Sequence, residues 1–287
     1  PDAIGLKLGK ALFEDAIIKA RTMGWTKLLI VSDPYAEAFY LKMGAVRIGE
    51  RESKVRNNFF LPLMEYDLGL TLIGDSKIKA VPIDDCGEAL VDLALDFSDL
   101  NIDFERFHVQ KESQSISLAR KSVGDRLRVA QGLLPTHLRL LIKECHRPRW
   151  VQKKFWDVYF DFLQKKYPNW SQAEIYDECS KLNAPLDVAP HTTGGAVDLT
   201  LTETNGIPLD MGTEFNASPL SSHRATYTAA QNISDAAKQN RQILFRCMSK
   251  AGFVNYPTER WHWSYGDKYW AYVTKTPAAI YSSVEVE

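Results

Sequence analysis

The chain has 287 residues, of which 45% are hydrophobic and 25% charged, enough apolar material for one large core or two modest ones and too much for a disordered chain. With 35 basic residues against 36 acidic and a formal charge of −1, no Lys/Arg run is long enough to follow a phosphate backbone, which argues against a nucleic-acid partner. No apolar run reaches the ~18 residues of a membrane span, and no basic segment followed by an apolar stretch opens the chain, so a cytoplasmic protein is expected.

In chain order, a helix is expected from Lys7 to Met23, with Leu8, Leu12 and Ala16 on one stripe and Gly24 as its stop. KLLIVS (Lys27 to Ser32) reads as a short strand, Asp33 and Pro34 open a helix through Met43, and AVRIGE and FFLPLMEYDL read as two more strands. The pattern changes over residues 69–76, which are taken as a linker between a first segment, 1–68, and a second, 77–287. Beyond it, a helix from Ser117 to Gln131 precedes the strand LRLLIKE (Leu138 to Glu144), and Pro148 starts a helix with Val151, Phe155, Val158 and Phe162 as its stripe. Ser171 and Glu174 form a capping box for a helix ending near Leu182. AVDLTLT is a strand, the following Asn-Gly a hairpin turn, and Ser234 caps a long helix closed by Gly252. Strands interleaved with helices and a hairpin point to an α+β fold with a central antiparallel sheet flanked by helices. The four cysteines (Cys86, Cys145, Cys179, Cys247) include no CxxC pair and read as free thiols of a reducing compartment. The chain starts at Pro1 and not at Met, which leaves open an upstream segment either removed or never included.

Two stretches carry chemistry. In APHTTGGAVD, His191 and Asp198 are seven apart, the wrong spacing for one helix face, but Gly194 and Gly195 allow the chain to fold back and present both side chains to one ion. Alone, the pair reads more readily as a hydrogen-bonded glycine turn than as a metal site, and it supplies two ligands where catalytic zinc takes three. ERWHWSYGD adds Glu259 and His262, three apart; alone, these are an ordinary charge and histidine among core aromatics. The remaining histidines, His108, His137, His146 and His223, read as surface or core residues, with His146 shaping the turn that carries Arg147.

Together, HTTGGAVD, ExxH and the HRP turn at Arg147 resemble the D-alanyl-D-alanine dipeptidase family, zinc peptidases known from vancomycin resistance, over about residues 80 to 275. The family pattern SxHxxGxAxD is met except that Ala189 replaces serine. The resemblance implies one zinc ion per chain, bound by His191, Asp198 and His262, with Glu259 as general base and Arg147 stabilising the oxyanion. It implies bacterial hydrolysis of D-alanyl-D-alanine, or a related D-amino-acid dipeptide, in peptidoglycan precursor turnover. A D,D-carboxypeptidase acting on longer stem peptides is the alternative. In MGTEFNAS, Asn216 stands where the best-known members have an aspartate that reads the dipeptide's ammonium, and Glu214 is a candidate replacement for that charge. Ala189 likewise forgoes a hydroxyl for the substrate carboxylate.

Residues 1–68 resemble the C-terminal half of a GCN5-related acetyltransferase, a partial α/β segment. IGLKLG stands at the family's pyrophosphate loop, with Gly5 and Gly9 fitting and Ile4 and Lys7 departing, and Tyr40 matches a tyrosine that protonates the leaving thiolate. The strands that would hold the first half of that sheet are absent from the segment. Acyl-CoA binding or acetyl transfer through these residues is the alternative function of another class.

Overall fold

The structure, a computed structural model, describes residues 8–22, 25, 27–104 and 115–286. Gly5, Ile4, Lys7, Met23, Gly24 and His108 lie outside them. The chain divides into two compact units, Pro1–Leu70 and Thr71–Glu287.

The first unit contains helix α1 (Leu8–Thr22), strand β1 (Lys27–Val31), a 3-10 turn, helix α2 (Glu37–Lys42) and strands β2 (Val46–Glu52) and β3 (Phe60–Asp67). The strands form an antiparallel sheet of order β1-β3-β2. Asp33 begins the turn because its carboxylate accepts the Tyr35 N–H, and Pro34 cannot extend the strand before it. Phe13 and Ile17 of α1 pack with Leu28, Ile30 and Tyr66 of the sheet and with Phe39, Tyr40 and Met43. Two of the residues assigned to coenzyme binding have packing positions here. Gly9 lies inside α1, where a Cβ would sit 3.6 Å from the Phe39 ring, and Tyr40 meets Phe13 edge-on at 5.5 Å.

The second unit runs α3 (Ser76–Lys79), β4 (Leu90–Asp92), α4 (Leu93–Asp96), β5 (Asn101–Ile102), β6 (Leu118–Arg120), α5 (Lys121–Gly132), β7 (Leu138–Glu144), α6 (Arg149–Lys166), α7 (Gln172–Cys179), β8 (Ala196–Glu203), α8 (Asp235–Lys250), β9 (Val254–Asn255), β10 (His262–Ser264) and α9 (Lys268–Thr274). Its main sheet has the order β5-β7-β8-β10-β9, antiparallel except for the β5–β7 pair. The unit is thus mixed α+β.

The alternation in AVDLTLT decides what each face of β8 does. Val197, Leu199 and Leu201 turn to one side and join Leu140, Ile142 and Trp263 in the principal core, closed by Val123 and Leu127 of α5 and Leu244 and Met248 of α8. Asp198 and Thr200 turn to the other side. Ser171 caps α7 with the reciprocal capping box, and Ser234 caps α8 through the Ala237 N–H. Among the described residues, no helix is long and apolar enough to cross a membrane, and all four cysteines are free, with only Cys86 exposed.

Three expectations need correction. Leu118–Arg120 is not the start of a helix but strand β6, paired with β4, because Arg120 is committed to its surroundings. Its Nε and Nη2 donate to the carbonyls of Thr193 and Ser282. Along α6, Val158 and Phe162 are exposed while Val151, Gln152 and Leu163 are buried, so the inward face is rotated from the expected stripe toward α7. Pro148 is the N-cap and not the first helical residue.

Candidate metal centre and active site

The site is laid across three adjacent strands. Asp198 on β8 is directly opposite Glu144 on β7 and His262 on β10, with a register irregularity in β7 between Ile142 and Glu144. The third side chain, His191, arrives from the 3-10 turn Pro190–Thr193 just ahead of β8. Two glycines make that approach possible in different ways. Gly194 adopts φ +69°, the left-handed region open to glycine. Gly195 lets two backbones close up, since a Cβ there would be 2.3 Å from the Tyr265 carbonyl oxygen.

Ligand atoms of His191, Asp198 and His262 all lie within 4.8 Å of one another, and all three residues are buried. His262 Nδ1 is 2.9 Å and His191 Nε2 3.3 Å from Asp198 Oδ1, and the two ring nitrogens are 3.1 Å apart. The opposite nitrogens are already used. His191 Nδ1 donates to the Cys145 carbonyl at 2.6 Å, which leaves Nε2 as a bare lone pair. His262 Nε2 faces the Ser264 hydroxyl at 3.3 Å, a group that can accept from the ring or donate to it. When the Ser264 hydroxyl accepts from Nε2–H, Nδ1 is bare as well. His191 Nε2, His262 Nδ1 and Asp198 Oδ1 thus face one spot, and two nitrogens with one oxygen are a donor set that fits zinc with a position left open.

Burial works against charge on Asp198, but the adjacent His191 and His262 outweigh it and hold that carboxyl far below the usual range. Burial lowers His262, while His191 is raised because Asp198 outweighs the burial. Glu259, at the end of the loop before β10, has Oε2 3.9 Å from His262 Nδ1. Burial and then the Asp198 charge push its carboxyl well up, with Arg147 opposing them.

Arg147 is buried and fully committed on one edge. Its Nε and Nη2 donate to the two oxygens of Glu144 at 2.6 and 2.7 Å, and Nη1 donates to Gln152 Oε1 at 2.8 Å. Burial would lower its pKa, yet Glu144 raises it on balance, so the guanidinium stays charged. A guanidinium has five N–H donors, and these bonds use three. Gln152 is itself fixed by donating to the Ala184 carbonyl at 2.7 Å. Neither Glu144 nor Gln152 was picked out from the sequence. A carboxylate ending an otherwise apolar strand three residues before an arginine is the signal that marks the first.

A cavity of about 140 Å³ brings together Arg147, His191, Asp198, Asn216, Glu259 and His262, with Gln152, Asn183, Tyr256 and Trp261 in its wall. Asn216 has φ +58°, which asparagine tolerates better than most residues. The other residues considered for substrate binding lie elsewhere. Glu214 lines a separate hollow with Lys143 and Arg260. Ala189 is buried as the N-cap of the His191 turn and is not part of the cavity wall. His146 is a buried residue of the turn before Arg147, its Nε2 donating to the Val284 carbonyl at 2.9 Å.

Comparison with known proteins matches residues 101–281, all within the second unit, to the peptidase M15 family model described as D-ala-D-ala dipeptidase. A D-alanyl-D-alanine dipeptidase of Synechocystis sp. is 30% identical over 232 residues, covering 69% of this chain and 91% of that protein. The Escherichia coli D-alanyl-D-alanine dipeptidase is 26% identical over 190 residues, covering 60% of this chain and 82% of that protein. That of Enterococcus faecalis is 31% identical over a shorter stretch of 106 residues, 37% of this chain and 48% of its own length. A solved LdcB LD-carboxypeptidase aligns over 68% of this chain and 76% of its own at 17% identity, with a TM-score of 0.35, too loose to bear on the fold. On the strength of the family match, this chain belongs to the M15 D-Ala-D-Ala dipeptidase family and is a metallopeptidase.

Proposed function

We propose that the protein hydrolyses D-alanyl-D-alanine, or a related dipeptide containing D-amino acids, in the turnover of peptidoglycan precursors, with one zinc ion held by His191, Asp198 and His262. The observation that carries this reading is the meeting of three ligand atoms within 4.8 Å in a cavity that Glu259 and Arg147 also line. Family membership and the activity named for the relatives support the substrate class.

When bound, zinc supplies Lewis acidity and lowers the pKa of a neighbouring water. The chain's own groups do the rest. Glu259, whose burial raises its proton affinity, takes the proton of the attacking water and passes it to the departing amine. Arg147 turns its two uncommitted N–H groups to the oxygen on which negative charge grows, while Glu144 and Gln152 keep it from swinging away. The Cys145 carbonyl holds the His191 ring in the tautomer that can bind metal.

The deciding assay follows D-alanine release from free D-alanyl-D-alanine and from a stem pentapeptide, each with and without a chelator. Release from the dipeptide that stops with chelator and returns with zinc is the expected result. Release from the pentapeptide alone makes the protein a carboxypeptidase, and release indifferent to chelator removes the metal assignment.

A further inference from the structure

The last described residues of the chain run back across the two loops that frame the site. Tyr281 is anchored by donating its hydroxyl to Glu88 at 2.6 Å, and Arg120 Nη2 donates to the Ser282 carbonyl at 3.0 Å. Ser283 Oγ then meets Thr192 Oγ1 at 2.7 Å, and the Val284 N–H donates to the Thr192 carbonyl at 2.8 Å. The Val284 carbonyl accepts from His146 Nε2 at 2.9 Å. Thr192 follows His191 in sequence, and His146 precedes Arg147. One residue's main chain therefore holds the loop of a ligand with its N–H and the loop of the arginine with its C=O.

Those loops lie outside the main sheet and have further anchors near β6: the Cys145 and His146 N–H groups donate to the Ile116 and Leu118 carbonyls, and Arg120 Nε donates to the Thr193 carbonyl. His191 lies in a 3-10 turn and Arg147 between β7 and α6, whereas Asp198 and His262 are in ladder pairs. The direct bonds between the loops are the Arg147 N–H to the His191 carbonyl at 3.2 Å and His191 Nδ1 to the Cys145 carbonyl. His146 is fully buried, and its Nδ1 has no hydrogen-bond partner, so its ring is held in place through Val284. The region matched to the family ends at Tyr281, and the clip lies past it.

We propose that the main chain of Val284, clipped between Thr192 and His146, is a positioning element that fixes His191 relative to Arg147 and so sets both metal affinity and the placement of the guanidinium. The proposal rests on the reading of His191 as a metal ligand. Releasing the clip leaves each loop held from one side only, by its bonds near β6, and loosens the His191 turn relative to Arg147. Loss of an outer partner of this kind costs about 10- to 100-fold in metal affinity or activity.

The test uses the full chain in four variants. Val284→Pro removes the N–H, and Val284→Ala keeps both main-chain groups as its control. His146→Phe removes the donor to Val284, and His146→Gln restores one. Zinc affinity is measured by competition with a chelating indicator, the visible absorption of the cobalt-loaded protein reports ligand geometry, and kcat and KM are taken on the dipeptide. The expected result is about tenfold or greater weakening of zinc binding in Val284→Pro and His146→Phe, with an altered cobalt spectrum and a fall in kcat at near-constant KM. Val284→Ala and His146→Gln should remain close to wild type. Wild-type zinc affinity and cobalt spectrum in folded Val284→Pro overturn the clip; if that variant does not fold, the same outcome in His146→Phe overturns it. A wild-type protein that binds neither ion removes the metal-site reading itself, and the clip with it.

Discussion

Asp198 and His262 face each other across the β8–β10 ladder, and the same pair is joined by a 2.9 Å contact between Oδ1 and Nδ1. Backbone register and ligand geometry are thus one arrangement, and an ion bound here ties β8 to β10. Because it would bind the folded state and not the unfolded chain, zinc at about a hundred times its Kd adds about 2.7 kcal/mol to stability. Calorimetric melting with zinc and with chelator should show the higher Tm with zinc. His191→Ala and His262→Ala should lose both the zinc-dependent rise and the metal content. An equal response in these variants and the wild type would place the ion elsewhere.

Replacing Glu259 separates chemistry from metal holding. Glu259→Gln keeps the shape and should retain metal content while lowering kcat by about 10² to 10⁴, the usual worth of a positioned proton carrier. Elemental analysis beside steady-state kinetics decides this, and near wild-type turnover would show that another group carries the proton.

The Glu144–Arg147 pair makes a different prediction. Its two short bonds lie where both partners are buried, so removing the carboxylate leaves a buried guanidinium without its counter-charge. Glu144→Ala should cost about 3 to 5 kcal/mol of stability, read by denaturant unfolding. Glu144→Gln, which keeps a hydrogen-bond acceptor, should unfold later than Glu144→Ala and still show reduced kcat, because a neutral amide cannot hold the fork in both places.

Gly195 and Gly194 should respond unequally to alanine. At Gly195 the added Cβ meets a main-chain oxygen at 2.3 Å, which can move only by opening the β8–β10 edge. At Gly194 it meets the end of the Leu90 side chain at 2.3 Å, which can swing, leaving the left-handed backbone cost of about 1 to 2 kcal/mol. Gly195→Ala should therefore lose more stability and more metal than Gly194→Ala, measured by unfolding and metal content.

At Asn216, exchanging the amide for a carboxylate would give a free dipeptide's ammonium a charged partner in the cavity wall. Asn216→Asp should lower KM for D-alanyl-D-alanine by several-fold, corresponding to the ~1 kcal/mol gained when a hydrogen bond becomes charge-assisted. An unchanged KM would mean that the ammonium is read at another point of the wall.

What could be read along the chain was local. The strand at AVDLTLT, the caps at Ser171 and Ser234 and the glycine bend before Asp198 each depend on neighbours in sequence, and each is present. The inference that His191, Asp198 and His262 belong together came from resemblance, and their spatial convergence depends on strand pairing, which spacing cannot express. His262–Ser264 was not legible as a strand because it is short and rich in aromatic residues, and its identity comes from pairing with β8 and β9. The Glu144 partner of Arg147 was hidden for a similar reason, since a charge at a strand end is ordinary until the fold buries it. Along α6, the aromatic residues at several angles left more than one possible stripe, and packing against α7 selected one.

The row Glu144, Asp198, His262 makes the enzyme's competence a test of its own folding. Strand side chains alternate between faces, so a one-residue slip of β8 would send Asp198 into the apolar layer and put Val197 or Leu199 at the reaction centre. A misaligned sheet would lose the carboxylate opposite His262 and the hydrocarbon opposite the helices at one stroke. An ion bound by these residues, as proposed, would therefore report correct strand alignment and distinguish native chains from compact, misregistered ones that retain the same helix and strand content.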